Sequence, residues 1–492
     1  MSKTNSQSVR ENFSNAVFFI TGATGYIGKL TLEDILRNLD VKKVYILVRG
    51  KRGFSSEERL KRLLQNPLFE RVLLKNPECS RKIHLLEGDL LKENLGLSSV
   101  DISKIQNEVE YFIHCAATVK FDEKLHIATQ LNVKATKDLT EIAKKAKKIK
   151  ALVHISTAYS NSPIINVEEK VYTPCISPDS LLKIVQNEVP DYKEKSIIGE
   201  WPNTYSFTKN IAEAVIQEAA KNIPVCIVRP SIVISTIEDP IPGFIDNKYG
   251  AVSGYLAISL GFIRTLHVNN YDVKLDMVPA DFVANSILAA AWNTAIQPKS
   301  DDATVYNCVN NHDNYLTLRH CVEGTILENS KCPTSKQFWY PFLLPVKSRN
   351  LYLFLDFLLH HIPYYTVDYI LYFLGKETIL YSTYKAMEPI RNMFPYFLNR
   401  EWNFENKNFR NLHQKLSVTE KRIFNFNMGS INWDDYAYYF HRGAKQYLLK
   451  DTEPLENSRK RFKLLKILHF GVIGIMIMFL LFGILFTLHK CF

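Results

Sequence analysis

The sequence lacks the patterns of several protein classes. Its eight cysteines include no Cys-x-x-Cys pair, which argues against a zinc site or a disulfide framework and fits a reducing compartment. No His-Glu-x-x-His spacing occurs among the thirteen histidines, so we expect no metal site. Residues 1–8 are polar, so we expect no secretory signal peptide. Nucleic-acid-binding motifs are also missing, so the net charge of +11 does not predict a nucleic-acid partner.

A glycine-rich turn stands between a predicted strand and a predicted helix. It follows the apolar run 16–20 and precedes the helical pattern 29–36. Glycines at this spacing let the turn close tightly and let backbone N–H groups approach a pyrophosphate. The pattern predicts a dinucleotide site. The candidate contacts in this turn are Thr21, Gly22, Thr24, Gly25, Tyr26, Ile27 and Gly28.

The end of the second predicted strand bears on which dinucleotide binds. The strand KVYILVR spans residues 43–49 and is followed by the basic segment Arg49-Gly-Lys-Arg52, with no acid. An acid would bind a bare ribose 2′-hydroxyl, whereas arginine accepts a 2′-phosphate. We therefore predict NADP, in the reduced form NADPH, with Arg49 at the phosphate. A solvated basic loop is the alternative interpretation.

Three further strand ends supply candidates for the same edge of a parallel sheet, where ligands of such sheets bind. A strand ending at Glu87 is followed by Asp89 and Leu90, which we place at the adenine. The strand 109–115 leads into two small residues, against which a cofactor could lie closely. The strand 225–233 contributes a wall for the nicotinamide. These last two strands contribute Ala116, Ala117, Pro230 and Ser231. We expect Cys115, at a buried strand end, to be an inert thiol rather than a nucleophile.

Tyr205 and Lys209 are four residues apart in a helical pattern and so share one helix face. A nearby ammonium lowers the pKa of a tyrosine, whose hydroxyl can then exchange a proton with a substrate oxygen. We interpret two later matches to this spacing as coincidences, because they lie in a different, aromatic-rich region. These matches are Tyr372/Lys376 and Tyr381/Lys385.

Two hydroxyl residues follow the apolar strand that begins at Ala151. Either Ser156 or Thr157 could donate a hydrogen bond to an oxygen that gains negative charge during hydride transfer. Hydroxyls at strand ends also cap turns, which is the alternative role for each.

Together these motifs resemble the extended short-chain dehydrogenase/reductase superfamily and, more narrowly, the alcohol-forming fatty acyl-CoA reductases of eukaryotes. The resemblance extends from about Asn15 to about Asp451. It rests on segments such as TGATGYIGK (21–29), HCAATVKFDE (114–123), EWPNTYSFTKNIAE (200–213) and INWDDYAYYFHRGAKQYLLKD (431–451). It implies an α/β fold: a doubly wound Rossmann-type parallel sheet with a mainly helical C-terminal domain. It assigns Tyr205 and Lys209 to the active-site pair and Thr157 to the hydroxyl position.

The resemblance also implies an activity. Long-chain fatty acyl-CoA would be reduced by two NADPH, through a hemithioacetal and an aldehyde, to a primary fatty alcohol and free coenzyme A. The product would feed wax, ether-lipid or related fatty-alcohol biosynthesis. A homo-oligomer is a further option for the protein. One alternative is a membrane-anchored sterol or nucleotide-sugar dehydrogenase/epimerase. Another is a non-catalytic NADP-binding membrane scaffold.

The C-terminal part carries a long apolar run from Leu468 to Leu488, with His469 as its one ionisable residue. It is long enough to cross a bilayer, so we expect membrane lipid as a partner. Basic residues are more numerous before this run than after it, which places the catalytic body in the cytosol, at the endoplasmic reticulum or peroxisomal membrane. The aromatic stretch 338–375 predicts either a membrane-facing or substrate-covering amphipathic segment, or a domain core.

These observations predict five segments along the chain. Their boundaries follow from the changes in composition and from the reach of the resemblance. They are a disordered N-terminus (1–14), an NADP-binding Rossmann reductase domain with substrate elements (15–335), a helical fatty acyl-CoA reductase C-terminal domain (336–450), a basic linker (451–466) and a transmembrane anchor (467–489).

Overall fold

The computed structural model describes residues 8–51, 53–310 and 313–491. Arg52, part of the predicted basic segment, lies outside the described residues. The chain forms two compact units, each drawn from three stretches of sequence. The first unit contains residues 1–245, 274–315 and 401–431, and the second contains residues 246–273, 316–400 and 432–492.

A seven-stranded sheet forms the centre of the first unit. Its order is β7-β6-β5-β4-β1-β2-β3, and every neighbouring pair is parallel. The winding reverses between β1 and β4, which opens a crevice at the carboxyl edge. The predicted doubly wound parallel sheet is therefore confirmed. The strands are β1 (Val17–Thr21), β2 (Lys43–Val48), β3 (Ile83–Glu87), β4 (Tyr111–His114), β5 (Ala151–Ile155), β6 (Val225–Pro230) and β7 (Thr304–Cys308).

The central strands are apolar along most of their length, as a parallel sheet covered on both faces requires. Every residue of β1, β4, β5 and β6 is buried. The covering helices of this unit include Tyr26–Asn38, Ser56–Leu64, Glu70–Lys75, Ser99–Glu108, Leu125–Thr129, Ala135–Lys144, Pro178–Ile184, Asp191–Ile198, Thr204–Ala220, Ala280–Ile296, Lys407–Lys415 and Val418–Ile423. Two short strand pairs complete it, Ile232–Val233 with Met277–Val278 and Asn166–Val167 with Asn403–Phe404.

A one-turn helix, Val9–Asn12, lies in the segment that we expected to be disordered. Ser8 and Glu11 form a capping box at its start. The Val9 N–H donates to the Glu420 carboxylate at 2.5 Å, and Phe13 is fully buried. The expectation of disorder is therefore wrong for residues 8–14, because this short segment is held by contacts to a residue about 400 positions away, which local composition cannot reveal.

The second unit is mainly helical, as predicted for the C-terminal part. Residues 349–373 run without a break through a π-helical turn, Phe357–His361, and we call this stretch the aromatic helix. One strand pair, Thr265–His267 with Leu344–Val346, is parallel. The helices of this unit include Ala251–Ser259, Leu318–Lys331, Arg349–Asp356, Ile362–Phe373, Leu380–Ala386, Glu388–Leu398, Trp433–Gly443 and Leu455–Cys491.

The last of these, Leu455–Cys491, is the tail helix. Its span Leu455–Thr487 is long and apolar enough to cross a membrane. The 18-residue window that is its apolar part has a mean hydropathy of 2.6, and none of that window is buried against the protein. Of the predicted linker (451–466), residues 455–466 form the first turns of this helix. Its early part packs on the second unit, since Trp339 Nε1 donates to His469 Nδ1 at 3.2 Å and Phe462 is buried.

Candidate active site at the carboxyl edge of the sheet

The glycine turn (residues 21–28) needs its glycines for two different reasons. Gly22 has a φ of +76°, and a Cβ there would lie 2.6 Å from Ala116 N and 2.8 Å from the Cys115 carbonyl carbon. A Cβ at Gly28 would collide with the Gly22 carbonyl. The Gly25 N–H donates to that same carbonyl at 2.8 Å, which closes the turn. The result is a narrow backbone cradle between β1, β4 and the following helix.

The helix after this turn begins at Tyr26, with Gly25 as N-cap and no side-chain hydrogen bond to its first turn. Such a terminus favours an anion through its N–H groups and its dipole. The Tyr26 hydroxyl lies within hydrogen-bond distance of the Ile234 and Phe244 carbonyls, at 3.0 and 2.9 Å. The side chain of this predicted cofactor residue therefore holds a loop of the protein, while the backbone of Tyr26 and Ile27 forms the helix start.

Two arginines border the turn. Arg49 Nη1 is 3.2 Å from Asp89 Oδ1, so these two predicted residues pair with each other. Arg59 Nη2 donates to Thr24 Oγ1 at 3.0 Å, and its Nη1 donates to the Arg49 carbonyl at 2.6 Å. Burial and the charge of Arg49 lower the pKa of Arg59. Sequence reasoning missed Arg59 as a site residue, because a position on the helix that follows β2 carries no local signal for a contact with the glycine turn.

The other predicted cofactor residues lie at the ends of β3, β4 and β6. The Ala116 N–H donates to Thr21 Oγ1 at 3.4 Å, and Ala117 is partly exposed beside it. Leu90 packs against the hydrophobic core instead of lying free. Pro230 closes β6 opposite Cys308. Beyond it, the Ser231 hydroxyl is buried without a hydrogen-bond partner.

A buried hydroxyl without a partner is costly, and such atoms in native proteins usually meet a ligand or water. The Ser231 hydroxyl and the cradle that a Cβ at Gly22 would fill therefore both fit a dinucleotide cofactor.

The helix Thr204–Ala220, which we call the Tyr205 helix, begins with Asn203 as its cap; the Asn203 side chain accepts from Ser206 N at 2.8 Å. The side chain of Tyr205 interacts with that of Thr157. Thr157 Oγ1 also accepts from Tyr159 N at 3.3 Å, so the alternative capping role is present as well. Burial raises the pKa of Tyr205 to about 12, and the Thr157 hydroxyl opposes this shift.

Lys209 lies one turn beyond Tyr205, and its Nζ donates to the Ile155 carbonyl at 2.6 Å. Burial lowers the pKa of Lys209 to about 8, while Cys115 and Glu213 oppose the shift. The expected lowering of the Tyr205 pKa by Lys209 is not present in this structure. The ammonium is directed to the end of β5, and burial dominates the tyrosine.

Sequence reasoning also missed Glu213, one further turn along the same helix face. Its carboxylate accepts from Ser156 Oγ at 2.5 Å and from Ser160 Oγ at 2.9 Å. It also forms a fully buried ion pair with Arg229, at 2.7 Å. Because Glu213 engages Ser156, the hydroxyl that meets Tyr205 is that of Thr157. Glu213 could have been found from the sequence, because it continues the four-residue spacing from Tyr205 to Lys209.

Asn132 is a third missed residue, in the π-helical turn Gln130–Lys134. Its Nδ2 donates to Thr208 Oγ1 at 2.9 Å, and its Oδ1 accepts from Thr118 N at 2.9 Å. It thereby ties the loop after β4 to the Tyr205 helix. Burial raises the pKa of Cys115 to about 12, which agrees with an inert thiol. Within the described ranges, no cluster of three or more His, Cys, Asp or Glu side chains is placed to hold a metal.

Two protein-family models match the chain, and both carry the description "Male sterility protein". They cover residues 20–287 and 359–451. The chain is 34% identical over 461 residues to Fatty acyl-CoA reductase wat of Drosophila melanogaster, covering 93% of this chain and 89% of that protein. It is 32% identical over 470 residues to Fatty acyl-CoA reductase 1 of Homo sapiens, covering 94% and 91%.

Solved structures share the fold at lower sequence identity. The reductase domain of a nonribosomal peptide synthetase from Mycobacterium tuberculosis aligns with a TM-score of 0.61 and 18% identity, covering 89% of this chain and 92% of that one. The terminal reductase domain of the myxalamid pathway aligns with a TM-score of 0.56 and 18% identity, covering 89% and 93%. Likeness at this level of identity supports the Rossmann-type fold alone.

Proposed function

This chain belongs to the fatty acyl-CoA reductase family, and we propose that it reduces long-chain fatty acyl-CoA to a primary fatty alcohol with NADPH. The observation that carries the proposal is the Tyr205–Thr157 hydroxyl pair at the strand edge that also bears the glycine turn. The names of the relatives support a fatty acyl-CoA as substrate. A scaffold without catalytic activity would not need this hydroxyl pair.

The cofactor residues divide by the part of the dinucleotide that each would hold. The glycine turn and the start of its helix suit the pyrophosphate. Asp89 and Leu90 stand at the adenine end, and Ala116 and Ala117 leave room along the backbone. Pro230 and Ser231 would border the nicotinamide. When bound, this group supplies the hydride for reduction.

Side chains of the protein would stabilise and protonate the oxygen of the reacting carbonyl. The hydroxyls of Tyr205 and Thr157 donate hydrogen bonds to the oxygen that becomes negative when a hydride reaches the thioester carbon. A tyrosine with a pKa of about 12 keeps its proton at neutral pH, so it can donate that proton to the new alkoxide. Lys209 would hold the ribose and keep a positive charge behind the tyrosine. A protonated Tyr205 suits reduction, because the new alkoxide needs a proton.

The overall reaction would proceed in two reductions. The first gives a hemithioacetal, whose C–S bond breaks to release coenzyme A as a thiol and leave an aldehyde. The aldehyde would then be reduced to the alcohol at the same hydroxyl pair, which would take a second hydride from NADPH and a second proton. The two reductions consume two NADPH and two protons for each alcohol formed.

The direct test is turnover by the purified full chain with palmitoyl-CoA and NADPH. We expect free thiol, measured by a colorimetric thiol reagent, and hexadecanol, measured by gas chromatography, in equal amounts. An aldehyde as the final product would overturn the second reduction. If neither product forms while a sterol or a nucleotide sugar is converted, the alternative dehydrogenase or epimerase function is correct.

NADPH rather than NADH is proposed from Arg59, which donates to Thr24, and from Arg49, whose carbonyl accepts from Arg59. Arg59→Ala should raise the KM for NADPH by about 10- to 100-fold, since a charge-assisted hydrogen bond contributes about 1.5–3 kcal/mol. The KM for NADH should change little, because NADH lacks the 2′-phosphate. Steady-state kinetics with both cofactors measure this difference.

A matched control lies on the same helix, where the Arg62 guanidinium packs over the Phe54 ring at 3.4 Å. Arg62→Ala should leave the KM for both cofactors near the unmodified value. Equal losses for NADPH and NADH in Arg59→Ala would show that Arg59 supports the turn and does not select the phosphate.

We also propose that the tail helix anchors the protein in the endoplasmic reticulum or peroxisomal membrane. Its apolar window is exposed along its length, which a helix in water would not tolerate. The basic residues before this window favour the cytosolic side for the catalytic body.

A further inference from the structure

The aromatic helix presents a second large apolar surface, separate from the tail helix. Its outward residues recur every three or four positions, which places them on one side of the helix. Among them, Phe354 is 61% exposed, Tyr369 65% and Phe373 68%. The outward side also includes Leu353, Phe357 and Tyr365.

The inward side of the same helix is polar. Asp356, His360 and Tyr364 follow each other at four-residue intervals, and all three are buried. The Asp356 carboxylate accepts from Tyr384 Oη at 2.5 Å and from Arg391 Nη1 at 2.9 Å. His360 lies 2.8 Å from the same carboxylate. The charge of Asp356 is thus paired inside the unit.

This arrangement is the reverse of the one that a water-soluble helix adopts, where the apolar side faces the core and the polar side faces solvent. From 350 to 373 the acidic residues are Asp356 and Asp368. Asp368 is also engaged, since it accepts from the N–H groups of Leu380 and Tyr381 at 3.1 and 2.9 Å. No carboxylate therefore remains to solvate the outward side.

We propose that the aromatic helix lies in the headgroup region of a lipid bilayer, with its outward side among the acyl chains, as a second membrane contact of this protein. Tyrosines such as Tyr365 and Tyr369 suit that depth, because their rings are apolar and their hydroxyls can meet the headgroups. Exposed basic residues flank the helix at Lys347, Arg349 and Lys376, where they would meet anionic lipid.

A chain of contacts within the second unit connects this helix to the tail helix. The Arg264 guanidinium lies 5.4 Å from the Tyr364 ring and 5.4 Å from the Trp339 ring. Trp339 in turn donates to His469 of the tail helix. The inward side of the aromatic helix is therefore two side chains away from the place where the tail helix leaves the unit. If the tail helix enters a bilayer, these contacts hold the aromatic helix near the same bilayer. They therefore favour lipid, rather than a second copy of the chain, as the partner of its outward side.

The test uses the full chain in vesicles of phosphatidylcholine and phosphatidylserine. The photoreactive residue p-benzoyl-phenylalanine is placed singly at Phe354 or Tyr369 on the aromatic helix, at Phe479 on the tail helix, or at Tyr192. Tyr192 is the matched control, since it is 71% exposed on a helix of the first unit. After illumination, mass spectrometry identifies what each position has captured, and thermal melts in detergent check that each variant is folded.

We expect phospholipid adducts at Phe354, Tyr369 and Phe479 and none at Tyr192. Adducts at Phe479 without adducts on the aromatic helix would overturn this inference and leave the membrane anchor intact. Cross-links from Phe354 or Tyr369 to a second copy of the chain would overturn it in favour of a protein interface. No adduct at Phe479 would overturn the membrane anchor and this inference together. Reductase activity, measured separately in detergent, does not enter these outcomes.

Discussion

Tyr205→Phe should lower kcat by about 10²- to 10⁴-fold, the range that a positioned general acid contributes. The substitution removes the hydroxyl that would donate a proton to the new alkoxide and leaves the ring in place. The hydroxyl of Thr157 would remain, so hydride transfer would keep one of its two donors. Cofactor affinity should change little, because the tyrosine hydroxyl does not form the glycine turn. Fluorescence titration with NADPH measures affinity, and thiol release measures turnover.

The chain contains its own matched control for this experiment. Tyr372 has the same spacing to a lysine, but it is 70% exposed on the aromatic helix. Tyr372→Phe should therefore leave kcat near that of the unmodified protein. If Tyr205→Phe retained turnover, or if both variants lost it equally, Tyr205 would not be the proton donor.

Gly22→Ala should weaken NADPH binding by about a hundredfold or more. Left-handed backbone costs a residue with a Cβ about 1–2 kcal/mol, and here the Cβ would also lie 2.6 Å from Ala116 N. The backbone must move to relieve that contact, which displaces N–H groups placed for the pyrophosphate. Losing one charge-assisted hydrogen bond costs a further 1.5–3 kcal/mol or so, and about 2.8 kcal/mol corresponds to a hundredfold in affinity.

Gly199 is a control position that has the strained backbone of Gly22 but no atom that a Cβ would collide with. It also has a positive φ, of +63°, but nothing lies within 4 Å of where its Cβ would be. Gly199→Ala should therefore carry a similar conformational cost without loss of NADPH affinity. Thermal melts report the conformational cost in both variants, and calorimetric titration reports binding. Unchanged affinity in folded Gly22→Ala would rule out the proposed role of this cradle.

The central sheet and the cradle could be predicted because their signals are local. A strand buried on both faces needs an apolar run, and a strand that turns tightly into a helix needs glycine where a Cβ would collide. Tyr205 and Tyr372 have the same spacing to a lysine, so the spacing could not decide between them. Tyr205 was chosen because of its position in the chain relative to the glycine turn. Composition was a poorer guide for residues 8–14, because Glu420 holds that segment from a distant part of the chain.

The candidate site itself was only partly predictable. In the structure Glu213 accepts the Ser156 hydroxyl, which agrees with Thr157, the hydroxyl that the family resemblance assigned. The sequence had offered both hydroxyls by their position at the strand end. It also suggested that Lys209 would lower the pKa of Tyr205, whereas burial raises that pKa to about 12. Arg59 reaches Thr24 from a helix 35 residues away. Such contacts join side chains from different elements, so they depend on how those elements pack in the folded protein.

By itself, then, the sequence determined the doubly wound sheet, the dinucleotide turn and the tyrosine–lysine pair, because each depends on backbone conformation or helical periodicity over a few residues. Only the tertiary structure decided that Glu213 engages Ser156, that Arg59 reaches Thr24, and which side of the aromatic helix faces outward. Those outcomes depend on hydrogen bonds and burial among residues far apart in the chain. The reversed polarity of the aromatic helix follows from its buried Asp356 and His360, whose partners come from elsewhere in the second unit.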